Sequence, residues 1–184
     1  MKNTILIIAV LSAASVLAVT CTTRLNEPPL SPLPDAQGFY SATAAGETLK
    51  WKVNGPSLDC KLSAPTTGWV AVGFNSQPLM EGANIIMGYV TGGTSAVLGD
   101  LHGVSHTHPA DAVDNLTNKA GTDNGTTTEI TFTIPMANDA NSQDFALTQG
   151  GTYWLIMTYG ANGDDTMGGS GMPLNRGTVK IVLK

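Results

Sequence analysis

Short segments in which apolar and polar residues alternate run through the chain after residue 38. In residues 47–54, Leu49, Trp51 and Val53 alternate with Lys50 and Lys52. A period of two residues predicts a strand with one buried face. Comparable alternating or apolar segments are residues 39–44, 58–64, 68–74, 83–90, 95–101, 126–134, 152–160 and 177–183. The run 152–160 has few polar breaks, which favours a central strand.

Turn residues separate these segments at regular intervals. Asn54-Gly55-Pro56, the sequence Thr-Gly-Gly-Thr at 91–94 and Asp123-Asn124-Gly125 are typical of tight turns between antiparallel strands. A short edge strand is expected in 115–121, and a loop in 136–144. No helix-period run of useful length follows residue 20. The pattern predicts an all-β fold, an antiparallel β-sandwich of about nine to eleven strands.

The first 38 residues differ from the rest. Residues 1–20 carry Lys2 and then an apolar run, which predicts a signal peptide and an exported protein, in the periplasm or at the cell surface. Cys21 is a candidate for lipidation, and the Pro-rich residues 21–38 suit a semi-rigid tether. One domain, residues 39–184, follows. If Cys21 is not lipidated, it could instead pair with Cys60; otherwise Cys60 is a lone buried thiol.

The charge balance narrows the partners. The formal net charge of the 184 residues is −5, and only 12% of them are charged. An acidic chain without a basic patch has no means of releasing counterions from a nucleic acid, so we exclude nucleic acid as a partner. Contact with a membrane is expected only through a lipid on Cys21.

The order of several motifs resembles the DOMON family. The motifs are GWVAVGF, a loop with Met80, GANIIMGYV, Asp100, GTTTEITF, Asp144 and NRGTVKIVL, spread over residues 39–184. The resemblance implies a β-sandwich that is similar to haem b-binding cytochrome domains, with Met80 as one axial ligand of the iron. A thioether is a soft ligand that raises the reduction potential, and two filled axial positions suit electron transfer.

The resemblance also implies a histidine ligand in the loop before the last strand. Here that loop, residues 163–177, contains no histidine; it contains Met167 and Met172. Either the iron has two methionine ligands, or another group binds it, or no haem is bound. We expect the methionines to meet at one end of the sandwich, with Trp69 and Arg176 as further haem contacts. Each methionine could equally be a plug over the core.

The three histidines, His102, His106 and His108, lie in the polar stretch 99–114. His106 and His108 on an extended segment would share one side and could bind a metal with Asp111 or Asp114, or supply an axial ligand. A polar surface loop explains them equally well. Four aspartates near strand ends are expected to cap turns rather than to form a reactive pair: Asp100, Asp144, Asp164 and Asp165.

Three functions follow from these features. The first is an exported haem b domain that passes electrons to a redox partner protein and does not turn over a substrate by itself. The second is a haem-free DOMON module that binds a sugar, another small ligand or a partner protein. The third is a surface protein that binds a metal through its histidines. Fold class does not decide among them.

Overall fold

The computed structural model describes residues 29–137, 143–167 and 173–184. These residues form no helix, and therefore none that is long and apolar enough to cross a membrane. They contain ten strands: β1 (Tyr40–Ala44), β2 (Glu47–Asn54), β3 (Ser57–Ala64), β4 (Val70–Asn75), β5 (Asn84–Thr91), β6 (Ser95–His102), β7 (Thr117–Asp123), β8 (Thr128–Pro135), β9 (Thr152–Tyr159) and β10 (Asn175–Val182).

The ten strands form two five-stranded sheets. The first sheet has the order β1-β2-β3-β8-β7, and the second has the order β10-β9-β4-β5-β6. Every pairing within the two sheets is antiparallel. The predicted class, an all-β antiparallel sandwich of nine to eleven strands, is confirmed.

The main core lies between the sheets and is built from alternate strand positions. On β2, Leu49 and Trp51 are fully buried, whereas Lys50 and Lys52 are exposed. Trp51 pairs with Cys60 on β3, which in turn pairs with Phe132 on β8. Cys60 is buried and forms no disulfide within the part of the chain that the structure describes. Burial, and secondly the charge of Asp59, raises the pKa of this thiol well above its usual value.

The second sheet is covered on both faces. All six residues of its central strand, β4, are buried. Val70, Val72 and Phe74 pack into the main core, whereas Ala71 belongs to a separate apolar cluster on the outer face of the sheet. β9, which the sequence predicts to be central, lies beside β4 and second from the edge. Because the outer face is also buried, parts of the chain outside the first sheet must pack against it.

Part of the predicted tether contacts the domain. Leu30 forms a parallel bridge with Ile181, in which the Leu30 N–H donates to the carbonyl of Lys180 at 2.7 Å. The Asp35 carboxylate accepts hydrogen bonds from the backbone N–H groups of Gln37 and Phe39. Residues 1–28, including the predicted signal peptide and Cys21, lie outside the described residues.

Candidate functional site

A groove with a volume of about 880 Å³ lies over the outer face of the second sheet. This volume falls within the range of about 300–1,000 Å³ that is typical of small-ligand and cofactor sites. Its floor consists of outward-facing residues of β4, β5 and β9, and its rim of loop residues. The lining comprises Trp69, Ala71, Gly73, Pro78, Leu79, Met80, Glu81, Ile85, Met87, Ser105, His106, His108, Ile156, Thr158, Pro173, Arg176, Gly177 and Thr178.

One wall of the groove is the loop between β4 and β5, which carries Met80. The Asn75 side-chain amide donates to the carbonyls of Leu79 at 2.7 Å and Glu81 at 2.8 Å. The Ala83 N–H donates to the Met80 carbonyl at 2.9 Å. These bonds satisfy the backbone of the loop, so that the Met80 side chain is free to line the groove.

The loop after β6 is bound directly to the Met80 loop. The Gly82 N–H donates to the Gly103 carbonyl at 2.8 Å, and the Gly103 N–H donates to the Ala83 carbonyl at 2.9 Å. The Ser105 N–H donates to the Glu81 carboxylate. The two loops are therefore bound to each other, and Met80, His106 and His108 line the same groove.

His106 and His108 both line the groove, but His106 lies in a tight turn and His108 follows that turn, so the two do not share one extended segment. Ser105 has a φ of 55°, and Val104 forms a bridge with Thr107. Asp111 and Asp114, the carboxylates predicted to join the two histidines, have other partners. Asp111 lies 2.6 Å from Nδ1 of His102, and Asp114 pairs with Lys119. The predicted histidine metal set is thus not assembled in the described part of the chain.

Trp69 and the loop after β9 form the opposite wall. The Trp69 Nε1–H donates to the Asp164 carboxylate at 2.9 Å, and the Trp69 backbone N–H donates to the Asp164 carbonyl at 2.9 Å. Hydrogen bonds from Thr166, and secondly from Trp69, lower the pKa of Asp164. Trp69 is buried on the outer face of the sheet and belongs to the apolar cluster there, not to the main core.

The other candidate cofactor residues are only partly brought together. Arg176 lines the β10 side of the groove. Met167 is 36% exposed, and its methyl group lies over Gly99 on β6 instead of lining the groove. Met172 lies outside the described residues, although its neighbour Pro173 is part of the rim. The groove lies on an outer face of one sheet, whereas the sequence predicted that the methionines meet at one end of the sandwich.

A buried carboxyl group lies behind the groove floor. Glu47, at the start of β2, is fully buried, and within the described residues no donor forms a hydrogen bond of good geometry with either of its carboxyl oxygens. Burial raises the pKa of Glu47 well above its usual value, which the nearby backbones of Ala71 and Thr158 offset only in part. Ala71 and Thr158 also line the groove, so the Glu47 carboxyl lies against the same two residues from the opposite side of the sheet.

Asp100, Asp111 and Asp144 form a carboxylate cluster at the base of the loop that carries the histidines. One oxygen of each lies within 4.8 Å of the others. Burial, followed by the charge of Asp144, raises the pKa of Asp100 to about 7. Asp100 accepts a backbone N–H from Asn115, as expected for a residue that caps backbone donors. The sequence did not predict that the fold brings Asp100 and Asp144 together, because 44 residues of chain separate them.

Some of these residues carry no signal in the sequence. Glu47 begins an alternating strand, where an acidic residue is expected to be exposed. Asp111 lies in a polar loop, and only the return of that loop along β6 places it against Asp100. Asp165 is exposed, as predicted for a turn residue.

The fold and the groove together define a β-sandwich domain with a cofactor- or ligand-sized site on one outer face. The DOMON domain family matches residues 46–160, more than half of the chain. The chain therefore belongs to the DOMON domain family. No curated protein sequence gives a significant match.

Two solved structures share the fold. The first is the cytochrome b domain of pyranose dehydrogenase from Coprinopsis cinerea, with a TM-score of 0.62 and 10% identity, covering 78% of this chain and 80% of that chain. The second is the cytochrome domain of cellobiose dehydrogenase from Myriococcum thermophilum, with a TM-score of 0.59 and 12% identity, covering 79% and 82%. At such low identities the similarity shows the fold.

Proposed function

We propose that this DOMON domain binds one haem b in the groove and transfers single electrons. The observation that carries the proposal is the chemistry of the groove, in which the thioether of Met80 and the imidazoles of His106 and His108 line one cavity. Thioether and imidazole are the side-chain ligands of haem iron in electron-transfer cytochromes.

The remaining lining also suits a flat apolar group with acidic substituents. Ala71, Gly73, Ile85 and Ile156 give a floor of small and aliphatic side chains without charge. Arg176 supplies a cation at the edge, where it would bind a propionate carboxylate. An apolar floor with a few polar groups at the rim is the usual composition of a cofactor site.

Haem would supply a one-electron couple, and the residues of the chain would set its properties. Met80 would be one ligand of the iron in this proposal. The other would be His106 or His108, which line the same groove, or Met172, whose chain neighbour Pro173 lines it. A thioether raises the reduction potential, and a second protein ligand would leave no open position for oxygen. Trp69 and the bound loops would exclude water from the floor.

A haemin titration of the protein and a groove-filling variant tests the proposal. We expect one haem per chain and a Soret band in the wild type, and loss of binding in Ala71→Phe, which fills the floor. Val97→Phe is the matched control, because Val97 is an exposed residue of β6 outside the groove lining. Absence of binding by the wild type, or equal binding by Ala71→Phe, would refute the proposal.

A haem-free ligand-binding module is the second candidate. It is favoured by the absence of histidine in residues 163–177, while the groove still offers an aromatic wall at Trp69 and polar groups at the rim. In that case the titration shows no Soret band, and a sugar or another small ligand raises the melting temperature of wild type but not of Ala71→Phe.

Export and lipidation of Cys21 are a separate proposal that rests on residues 1–21 alone. Mass spectrometry of the mature N-terminus tests it. A mature chain that begins at a diacylglyceryl-modified Cys21 supports the anchor. A chain that begins earlier, or an unmodified Cys21, contradicts it.

A further inference from the structure

The carboxylate cluster behind the histidine loop has the composition of a cation site. Asp100 is on β6, Asp111 is where the next loop returns along β6, and Asp144 follows β8. Asp100 is 3% exposed and Asp144 is 5% exposed, and the side chain of Asp111 is fully buried. Burying three acidic side chains together is unfavourable unless a cation or protons compensate their charge.

Each carboxylate has one oxygen that is held and one that is not. Asp100 Oδ2 accepts a hydrogen bond from the Asn115 backbone N–H at 3.2 Å, and Asp144 Oδ2 accepts one from the Asn115 side-chain amide. Asp111 Oδ1 lies 2.6 Å from Nδ1 of His102. Among the described residues, the other three oxygens are buried and have no hydrogen-bond partner: Asp100 Oδ1, Asp111 Oδ2 and Asp144 Oδ1. Buried polar atoms without partners are rare in folded proteins, and a bound ion is one of the groups that satisfies them.

Two amide oxygens near the cluster are also without partners. Asn115 Oδ1 is buried and has no donor, although its amide nitrogen is bound to Asp144. Asn84, which is 1% exposed, likewise has a buried Oδ1 without a donor. Asn84 lies opposite His102 in the β5–β6 register, on the same face as Asp100. These oxygens are outside the carboxylate set, and neutral oxygens complete calcium sites in proteins.

We propose that Asp100, Asp111, Asp144 and Asn115 bind one divalent cation, with the properties of Ca²⁺. Calcium takes six to eight oxygen ligands at about 2.3–2.6 Å, so ligands on opposite sides of one ion are about 5 Å apart. The 4.8 Å limit within which the three carboxylate oxygens lie matches this spacing. Donors on the second oxygens orient each carboxylate, as outer partners do at known metal sites.

The cation would fix the base of the groove wall. The loop from Gly103 to Pro109 leaves β6 and returns beside it, where the His102 N–H donates to Pro109 and the Asp111 N–H donates to Asp100. Asp100 and Asp111 are therefore the two ends of the loop that carries His106 and His108. A cation that joins them would stabilise that loop, independently of whether haem is bound.

Calorimetric titration of chelator-treated protein with CaCl2 tests the site, with MgCl2 as a second probe. We expect one Ca²⁺ per chain and a melting temperature that rises with Ca²⁺ and falls again with EDTA. In Asp144→Asn and in Asp100→Asn the affinity for Ca²⁺ should fall at least tenfold. Asp165→Asn, which removes an exposed carboxylate outside the cluster, should bind as the wild type does.

The variants also distinguish a cation site from a merely structural cluster. Without calcium, Asp100→Asn should melt at a higher temperature than the wild type, since one buried charge is removed. With saturating Ca²⁺ the order should reverse. Wild type that gives neither heat nor a melting shift with either cation overturns the proposal, as does a double Asp100→Asn, Asp144→Asn variant that still binds Ca²⁺. Wild-type titration decides the matter even if a variant does not fold.

Discussion

The backbone of Gly103 lies directly against the backbone of Met80. A Cβ atom on Gly103 would be 1.6 Å from the Met80 carbonyl oxygen and 2.6 Å from its carbonyl carbon. Since both neighbours are backbone atoms, neither can move without moving a loop. This contact, together with the hydrogen bonds between Gly82, Ala83 and Gly103, joins the Met80 loop to the loop that carries the two histidines.

Gly103→Ala should separate the two loops. The expected cost is about 1–3 kcal/mol of unfolding free energy, as for other overpacked sites, and haem affinity should fall because Met80 and the histidine loop no longer form one wall. Thermal unfolding and haemin titration measure the two effects.

Gly92→Ala is the control for this variant. Gly92 has a φ of 59° with open space around it, at the opposite end of β5 from the Met80 loop. It should lose stability through backbone strain but keep the haem affinity of the wild type. An unchanged haem affinity in Gly103→Ala would show that the contact does not position the groove.

Most of the strands can be predicted from the sequence because they depend on interactions between residues close together in the chain. The alternation around Trp51 and around Phe132 requires one buried face, and the Gly92-Gly93 pair permits only a tight hairpin. The order of strands in the sheets is not local. The sequence therefore predicts β9 to be central from its apolar composition, whereas β4 holds that place and β9 lies beside it.

Trp69→Phe should loosen the second wall of the groove. Phe retains the ring but lacks the Nε1–H that Asp164 accepts, and a hydrogen bond to a charged group contributes about 2 kcal/mol. We expect a lower melting temperature and faster hydrogen exchange in residues 161–167. Asp164→Asn is the control, because its side-chain oxygen can still accept this bond; if both variants behave alike, the indole bond does not hold the loop.

Glu47 should make stability fall as the pH rises. Its pKa is raised in the folded state above the unfolded value of about 4.3, so the folded protein binds the extra proton. The stabilising contribution of the protonated carboxyl is fully present below that unfolded value. It is lost by about 1.4 kcal/mol for each pH unit above it, until the pH reaches the folded pKa.

Glu47→Gln should remove this dependence, because Gln resembles the protonated carboxyl and does not titrate. At pH 4 the variant and the wild type should melt at similar temperatures, and at pH 8 the variant should be the more stable. Thermal unfolding between pH 4 and pH 8 provides the comparison. Parallel profiles for the two proteins would show that Glu47 is not responsible.

The second axial ligand is decided by single substitutions in the two rim loops. If a histidine of the 105–108 turn binds the iron, either His106→Ala or His108→Ala alters the reduced spectrum while Met172→Leu leaves it unchanged. If two methionines bind, the reverse holds. A thioether favours the ferrous state more than an imidazole does. A protein with two methionine ligands should therefore have a higher midpoint potential than one with a methionine and a histidine. Val97→Ala is the control, since Val97 is an exposed residue outside the groove lining.

Local sequence patterns predict only part of the candidate site. Met80 stands out because a thioether is unusual in a polar loop, and Arg176 because it precedes the last strand. The convergence of Asp100, Asp111 and Asp144 depends on a loop that returns along β6 and on a segment from the other sheet, neither of which has a periodic signal. The position of the groove on the outer face also depends on long-range packing. The alternation of Ala71 and Ile85 with their neighbours does not show which face of the sheet carries a site.

The most direct test of the central claim is the absorption spectrum of the reduced, haem-reconstituted protein, recorded for the wild type and for Met80→Ala at equal haem content. We predict a sharp α-band in the wild type and a broadened or lost α-band in Met80→Ala, because removal of the thioether opens one axial position. Identical reduced spectra for the two proteins would contradict Met80 as a ligand and, with it, the assignment of the groove as a haem site.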